Sequence, residues 1–511
     1  MKTWIWNGDN GDGTYTNPIL YTDYSDPDVI RVGEDYYMAA SSFCNTPALP
    51  ILHSKDLVNW KVISYVLEQI PEPGYETVQH GHGVWAPAIR WHEGFFYVYY
   101  PMPDEGIFMS KAENAAGPWS EPVCVKRAKG WIDPCPFWDE DGKAYLVNGF
   151  AKSRSGIKSI LHISPMSPDG TTLLGEGQHV FDGHNTQPTI EGPKMYKRNG
   201  YYYILAPAGS VKSGWQTALR SRNVYGPYEE KIVMMQGESR VNGPHQGGWV
   251  DTPSGEDWFV HFQDVGNAGR IIHLQPMTWQ NDWPVIGEDT GEGYGTPVTT
   301  WKKPDVGAVY PVESPDESDD FSGNTLGLQW QWNANHSKDW YQMEQPGLRL
   351  YAQKYEGALC DAPHLLLQKW TAPFFTVRAK IQVQDLKDGD TAGLVSQGCF
   401  YTALGVEKKD GVLSVVQISG TIGGEEKIQK YGAVGGSVIE LGLEVFENGT
   451  GQFYFPDVTG KWQPVGEKFT FTPGYWVGVK YGLFATHAGA GEAGSIVAES
   501  VLTGQDHPFE A

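Results

Sequence analysis

One pattern recurs five times between residues 26 and 262, and it limits the fold more than any other feature of the chain. The clearest copy is Thr189-Ile190-Glu191-Gly192-Pro193-Lys194-Met195-Tyr196, followed by Asn199-Gly200 and Tyr201-Tyr202-Tyr203. An acid stands before Gly-Pro, a short strand follows, and Asn-Gly then turns the chain into an aromatic strand. Asn-Gly between two such runs is the strongest short hairpin signal. Asp26-Pro27-Asp28-Val29-Ile30 repeats the pattern ahead of Gly33 and Tyr36-Tyr37-Met38. Trp85-Ala86-Pro87-Ala88-Ile89 repeats it ahead of Gly94 and Phe95-Phe96-Tyr97. Asp133-Pro134-Cys135-Pro136-Phe137 does so ahead of Gly142 and Ala144-Tyr145-Leu146. A weaker copy is His245-Gln246-Gly247-Gly248-Trp249, ahead of Gly255 and Trp258-Phe259-Val260.

The marker prolines 27, 87, 134 and 193 are 60, 47 and 59 residues apart, and Gly248 lies 55 further on. A period near that length with several strands per unit predicts a β-propeller. Five copies predict five blades. If the repeated strand is the inner one, Asp26, Trp85, Asp133, Glu191 and His245 converge on one channel mouth. Taken singly, an acid at a strand end reads as a surface charge. Three acids at equivalent ends of three blades form a like-charge cluster, which is costly and which the fold itself does not need.

The rhythm changes after residue 301. Residues 302–319 are rich in proline and acids and read as a linker. Beyond them come short alternating strands such as Phe375–Val383 and Leu413–Ile418, with no further marker copy. The expected organisation is all-β: a propeller over 1–301, the linker, and a β-sandwich over 320–511. Asn7-Gly8-Asp9-Asn10-Gly11-Asp12-Gly13 superficially resembles a calcium loop but lacks the ligand alternation of one, and reads as a solvated arm.

Composition narrows the function classes. The net charge of −23 and the lack of any Lys/Arg cluster argue against nucleic acid and against an anionic membrane surface. No run of 18 apolar residues occurs. Aromatics make up 13% of a turn-rich β chain, which suits stacking on sugar faces, although most of these rings must be core. The five cysteines have no Cys-x-x-Cys spacing and read as free thiols. No apolar leader is visible at the N-terminus, so the expected location is cytoplasmic, or exported if a leader has been removed.

Three carboxylates at one aromatic pocket suggest glycoside hydrolysis. One acid protonates the leaving oxygen and another activates water, roughly 6.5–9.5 Å away in inverting enzymes. A third can raise the pKa of the proton donor. The same acids could instead hold sugar hydroxyls in a non-catalytic binding propeller, or hold calcium.

Ser25-Asp26-Pro27-Asp28, Trp85-Ala86-Pro87, Trp131-Ile132-Asp133-Pro134 and Thr189-Ile190-Glu191-Gly192-Pro193 resemble the signatures of glycoside hydrolase family 43. The resemblance covers residues 17–301. More loosely it covers the sandwich, which is similar to the concanavalin-like domain of the family's xylosidase and arabinofuranosidase members. It implies a five-bladed, inverting enzyme with Asp26 as general base, Glu191 as general acid and Asp133 as the residue that tunes the acid. It implies Phe43 and Trp85 as pocket walls and Arg270 as a contact to sugar hydroxyls. His245 matches a channel histidine that faces either a structural calcium ion or a water; no cofactor is implied for the chemistry itself. Many members have a small residue where this chain has Asp28. Two residues apart on a strand, Asp26 and Asp28 would share a side, so Asp28 is a rival base, and the position directly before proline favours Asp26. Tyr475-Trp476 falls where a sandwich loop closes the pocket in related members, or is a core pair. His80 and His82 would lie at the rim. The expected activity is exo-acting release of L-arabinofuranose and/or D-xylose from arabinoxylan or xylo-oligosaccharides. The alternatives are a binding propeller without hydrolysis or an arabinan-degrading enzyme. The expected partner is a pentose-containing saccharide, with oligomeric state open.

Overall fold

The computed structural model describes residues 4–344, 346–507 and 509. Its first part is a ring of five antiparallel blades, each beginning at one of the repeated strands. Blade I runs from Asp28–Val32 to Trp60–Leu67, and blade II from Ala88–His92 to Val123–Arg127. Blade III runs from Trp131–Trp138 to Gln178–Asp182, blade IV from Lys194–Arg198 to Glu229–Met234, and blade V from His245–Asp251 to Trp283–Ile286. The first strands pack toward one another around the axis, as the repeat requires.

The turns explain the hairpins. Asn199 and Gly200 have φ of 51° and 72°, the mirror-image turn whose twist matches the strands it joins. Close approach explains one glycine on the axis. A Cβ on Gly248 would lie 2.8 Å from Asp28 Oδ1 and 2.9 Å from Val29 N, so only glycine lets blades V and I meet there. Buried tyrosines, tryptophans and aliphatics fill the spaces between blades. Only one short α-helix, Lys152–Ser155, occurs among the described residues.

The N-terminal stretch is not the solvated arm the sequence suggests. Residues 10–13 are largely exposed, but Gly8 is buried and Asp9 pairs with Lys303 Nζ at 2.6 Å. Lys303 also reaches Asp56 at 2.8 Å, which gives the polar stretch buried counter-charges and lets it pack. Thr14–Thr16 pairs with Thr300–Lys302 and ties the two ends of the ring together.

The second part is a sandwich of two seven-stranded antiparallel sheets. Phe375–Gln382 alternates buried and exposed residues along much of its length, as a strand with one face on a core does. Trp330, Trp370, Phe375, Phe453, Phe471 and Tyr481 fill the space between the sheets. The sandwich is hydrogen-bonded to the propeller: Thr46 exchanges backbone bonds with Trp332, and Asn335 donates to Tyr75. All five cysteines are free.

Candidate active site

The sequence positions that begin each blade come together at one mouth of the propeller. Asp26, Phe43, Trp85, Asp133, Glu191, His245 and Arg270 line a pocket of about 110 Å³, and Trp476 of the sandwich joins them. Tyr475 is not in the wall. It is half-exposed and packs against Gly81 beside it, where it seats the loop that carries Trp476.

Backbone geometry aims these side chains. Asp26, Phe43, Asp133 and Trp476 have φ of 55°, 54°, 56° and 66°, and Gln246 has 32°. Non-glycine residues held there cost about 1–3 kcal/mol each and persist only where the surrounding structure enforces them. The pairing of blade III slips between Ile132 and Cys135, and that of blade V between His245 and Gly247. Such bulges turn a side chain away from its regular direction, here Asp133 and Gln246 toward the pocket.

Asp26 is 4% exposed and accepts two hydrogen bonds. Arg270 Nη1 donates to Oδ1 at 2.7 Å and Ser41 Oγ to Oδ2 at 2.6 Å. Asp28, the rival, does not line the pocket. It is fully buried on the axis, where Oδ2 accepts from Arg90 Nη1 at 2.5 Å and from Ile89 N at 2.9 Å. The two do not share a face because the strand begins only at Asp28 and Asp26 has a positive φ.

Asp133 and Glu191 flank the same bare backbone. A Cβ on Gly149 would lie 3.8 Å from Asp133 Oδ2 and 3.7 Å from Glu191 Cα. Asp133 Oδ2 accepts from Gly192 N at 2.7 Å. Burial and the neighbouring Glu191 carboxylate push Asp133 up to about 7, against the pull of Lys194 and of the Gly192 amide. Asp133 therefore keeps its proton into the neutral range.

His245 is buried, with Nε2 2.9 Å from Glu191 Oε1. It faces the acid. Calcium takes six to eight oxygen ligands, waters among them. The buried acceptors there without a protein partner are Asp28 Oδ1, Gln246 Oε1 and His245 Nδ1, and the same axis carries Arg90 and Lys194. Among the described residues, the one group of three or more His, Cys, Asp or Glu side chains whose ligand atoms lie within reach of one another is His80, Cys360 and Asp361. In that group burial pushes the Cys360 thiol up to about 12, so it stays protonated. His80 reaches Asp361 at 3.3 Å and His82 reaches Asp104 at 2.8 Å, both outside the pocket wall.

The aromatic wall has an order. Trp85 sits between Phe43, with ring centroids 6.0 Å apart, and Trp476, at 6.3 Å. The Arg154 guanidinium lies 5.1 Å over the Trp85 ring. Nothing in the sequence pointed to Arg154, Ser41 or Gln246. Asp23 was equally hidden. Its Oδ1 accepts Arg270 N at 3.0 Å and its Oδ2 accepts Gly478 N at 2.8 Å, so one buried carboxylate fixes both Arg270 and the sandwich loop.

Comparison with known proteins matches this architecture. A family model described as glycosyl hydrolases family 43 matches residues 15–284, and one described as a beta xylosidase C-terminal concanavalin A-like domain matches residues 318–497. The chain is 43% identical over 488 residues to a Xylanibacter ruminicola protein provisionally named a beta-xylosidase, covering 94% of this chain and 88% of that protein. A Formosa agariphila beta-xylosidase is 34% identical, covering 95% of this chain and 89% of that protein. A Bacteroides ovatus protein named a non-reducing end alpha-L-arabinofuranosidase is 32% identical over 77% of this chain and 75% of its own length. Among solved structures, a family 43 protein of Bacillus licheniformis superposes with a TM-score of 0.84 at 26% identity, covering 96% of this chain and 99% of that one.

Proposed function

The chain belongs to glycosyl hydrolases family 43, and on that premise we propose that it is an exo-acting, inverting glycosidase. It releases D-xylose, and L-arabinofuranose where that is offered, from chain ends or side branches of xylan-type saccharides. One observation carries the reading: three carboxylates from three blades share a small pocket whose mouth is walled by Trp476. A pocket walled in this way takes a terminal sugar more readily than the middle of a chain. Xylose comes first because the two more similar relatives are named beta-xylosidases.

In this reading Glu191 gives its proton to the glycosidic oxygen as the bond from that oxygen to the anomeric carbon breaks. Asp26 takes a proton from the water that attacks the opposite face, and the product has inverted configuration. Asp26 suits the base because both its oxygens already accept hydrogen bonds, so it is oriented and acceptor-only. Asp133, raised by burial and by the neighbouring Glu191 carboxylate, is the residue that tunes the acid.

The test is a panel of 4-nitrophenyl β-D-xyloside, 4-nitrophenyl α-L-arabinofuranoside, arabinoxylan and linear arabinan, with Glu191→Ala alongside. The expected result is pentoside hydrolysis that falls about 10²–10⁴-fold in the variant, with NMR showing inverted product. No activity on any pentoside, or sugar binding that Glu191→Ala leaves intact without hydrolysis to lose, overturns the reading in favour of a binding propeller. Activity on arabinan alone overturns the substrate assignment.

A further inference from the structure

Both donors that hold Asp26 trace back to one buried carboxylate. Asp23 is 3% exposed and lies just ahead of Asp26 in the chain. Its Oδ1 accepts Arg270 N at 3.0 Å and Ser25 Oγ at 2.9 Å. Arg270 continues through its side chain to Asp26 Oδ1 at 2.7 Å. Ser25 continues through its carbonyl, which accepts Ser41 N at 2.9 Å, and Ser41 Oγ donates to Asp26 Oδ2 at 2.6 Å. Asp23 Oδ2 serves the other domain: it accepts Gly478 N at 2.8 Å, on the sandwich loop that carries Trp476.

The loop and the base also meet through one turn. Gly266–Ala268 is a single 3-10 turn that delivers the chain to Arg270. A Cβ on Gly269 would lie 2.5 Å from Asp23 Cγ, and a Cβ on Gly478 would lie 2.7 Å from Gly269 N. Only bare backbone lets Asp23, the turn and the sandwich loop pack this closely. Val479 N adds a bond to Asn267 O at 2.7 Å. The turn is thus clamped between a propeller carboxylate on one side and the sandwich on the other. If the loop lifts, the turn loses its support on one side, and Arg270 at its end is no longer held. Lifting also leaves a buried carboxylate oxygen unpaired, which is costly, so the seated loop is the favoured state.

We propose that Asp23 is a positioning residue that links closure of the pocket to orientation of the base. With the Trp476 loop seated, Arg270 and Ser41 hold Asp26 toward the attacking water; with the loop lifted, they do not. The sandwich then contributes to kcat as well as to sugar binding, whereas a loop that only walls the pocket would affect binding alone. The inference rests on Asp26 being the general base.

The experiment compares Asp23→Asn, Asp23→Ala and Gly478→Ala with the parent chain on two xylosides, one with a nitrophenyl leaving group and one with a dinitrophenyl group that needs little protonation. Asparagine keeps one acceptor and puts a donor amide where the other oxygen stood, so it cannot serve both sides. Gly478→Ala lifts the loop from the sandwich side and leaves Asp23 and Arg270 in place. Expected in all three is a raised KM together with a kcat loss, about tenfold for the Asp23 variants and about threefold for Gly478→Ala. The kcat loss should be equal on the two substrates, because the defect lies at the water and not at the leaving group. In a Trp476→Ala background, Asp23→Asn should no longer raise KM but should still lower kcat. A raised KM with unchanged kcat overturns the proposal and leaves Asp23 a seat for the loop alone. A kcat loss that shrinks on the dinitrophenyl substrate overturns it in favour of a disturbed proton donor. Should the Asp23 variants fail to fold, Gly478→Ala decides by the same kcat. A thermal-stability cycle stands apart from activity: Asp23→Asn and Gly478→Ala break the same bond, so together they should lower the melting temperature by less than the sum of their separate effects, and additive effects overturn the link. A parent chain inactive on every pentoside would sink the reading of Asp26, and the cycle would still decide whether Asp23 holds the loop.

Discussion

Arg270 Nη1 lies 2.7 Å from Asp26 Oδ1, a contact that joins the third strand of blade V to the entrance of blade I. With Ser41 on the other oxygen, it holds the carboxylate in one orientation. Asp26→Asn is expected to abolish hydrolysis of nitrophenyl and dinitrophenyl pentosides alike, because activating the water does not depend on the leaving group. Glu191→Ala should spare the dinitrophenyl substrate in comparison. Ser41→Ala removes one donor and should cost about tenfold in kcat, with KM nearly unchanged. Steady-state kinetics on the two substrates check all three, and a dinitrophenyl substrate spared by Asp26→Asn but not by Glu191→Ala would reverse their roles.

Trp476 is half-exposed, yet its ring forms part of the pocket wall against Trp85. Trp476→Ala removes stacking area from the sugar without opening a core. KM for short xylo-oligosaccharides should rise about tenfold, since about 1–2 kcal/mol of contact is lost, while the melting temperature of the full chain stays within about 2 °C. A large drop in melting temperature would mean that Trp476 is a structural residue of the interface.

The ring of blades was legible because each blade must spell its first hairpin locally. Glu191, Gly192 and Asn199-Gly200 state a strand start and a turn without help from the rest of the chain. The convergence of Asp26, Asp133 and Glu191 followed from repetition alone. What the sequence hid is relational. The expectation that Asp26 and Asp28 share a side fails because strand alternation was assumed through a residue whose φ is 55°. Asp23 gave no hint of its role, since its partners Arg270 and Gly478 lie 247 and 455 residues away. The N-terminal stretch looked solvated because Lys303, which neutralises Asp9, is far along the chain.

Asp133 combines function with a stability cost. Its folded pKa, about 7, lies above the unfolded value near 4. The unfolded chain therefore loses this proton first, and the group destabilises the fold progressively as pH rises from about 4 through about 7. Asp133→Asn has no charge to bury. Its melting temperature relative to the parent should rise across that window and stay higher above it, while hydrolysis is lost. Thermal unfolding at about pH 4.5 and about pH 8 checks the sign, and a gain larger at the acid end would contradict the assignment.

His261 and His273 act in the opposite direction. They stack at 5.3 Å inside blade V, both fully buried. Burial lowers His261 to about 4 and His273 well below its usual value. Below about pH 6.5 the unfolded chain takes up protons that these rings refuse, so stability falls as pH falls toward about 4. Asp133 gains stability over the same descent, so the parent's profile mixes the two and a variant is needed to separate them. His273 has no hydrogen-bond partner on either ring nitrogen among the described residues, which makes His273→Leu a replacement that strands no protein partner. The substitution should leave the melting temperature near neutral pH within about 3 °C and make its decline between about pH 6.5 and pH 4.5 shallower. An unchanged acid slope would show that His273 is not one of the groups that set it.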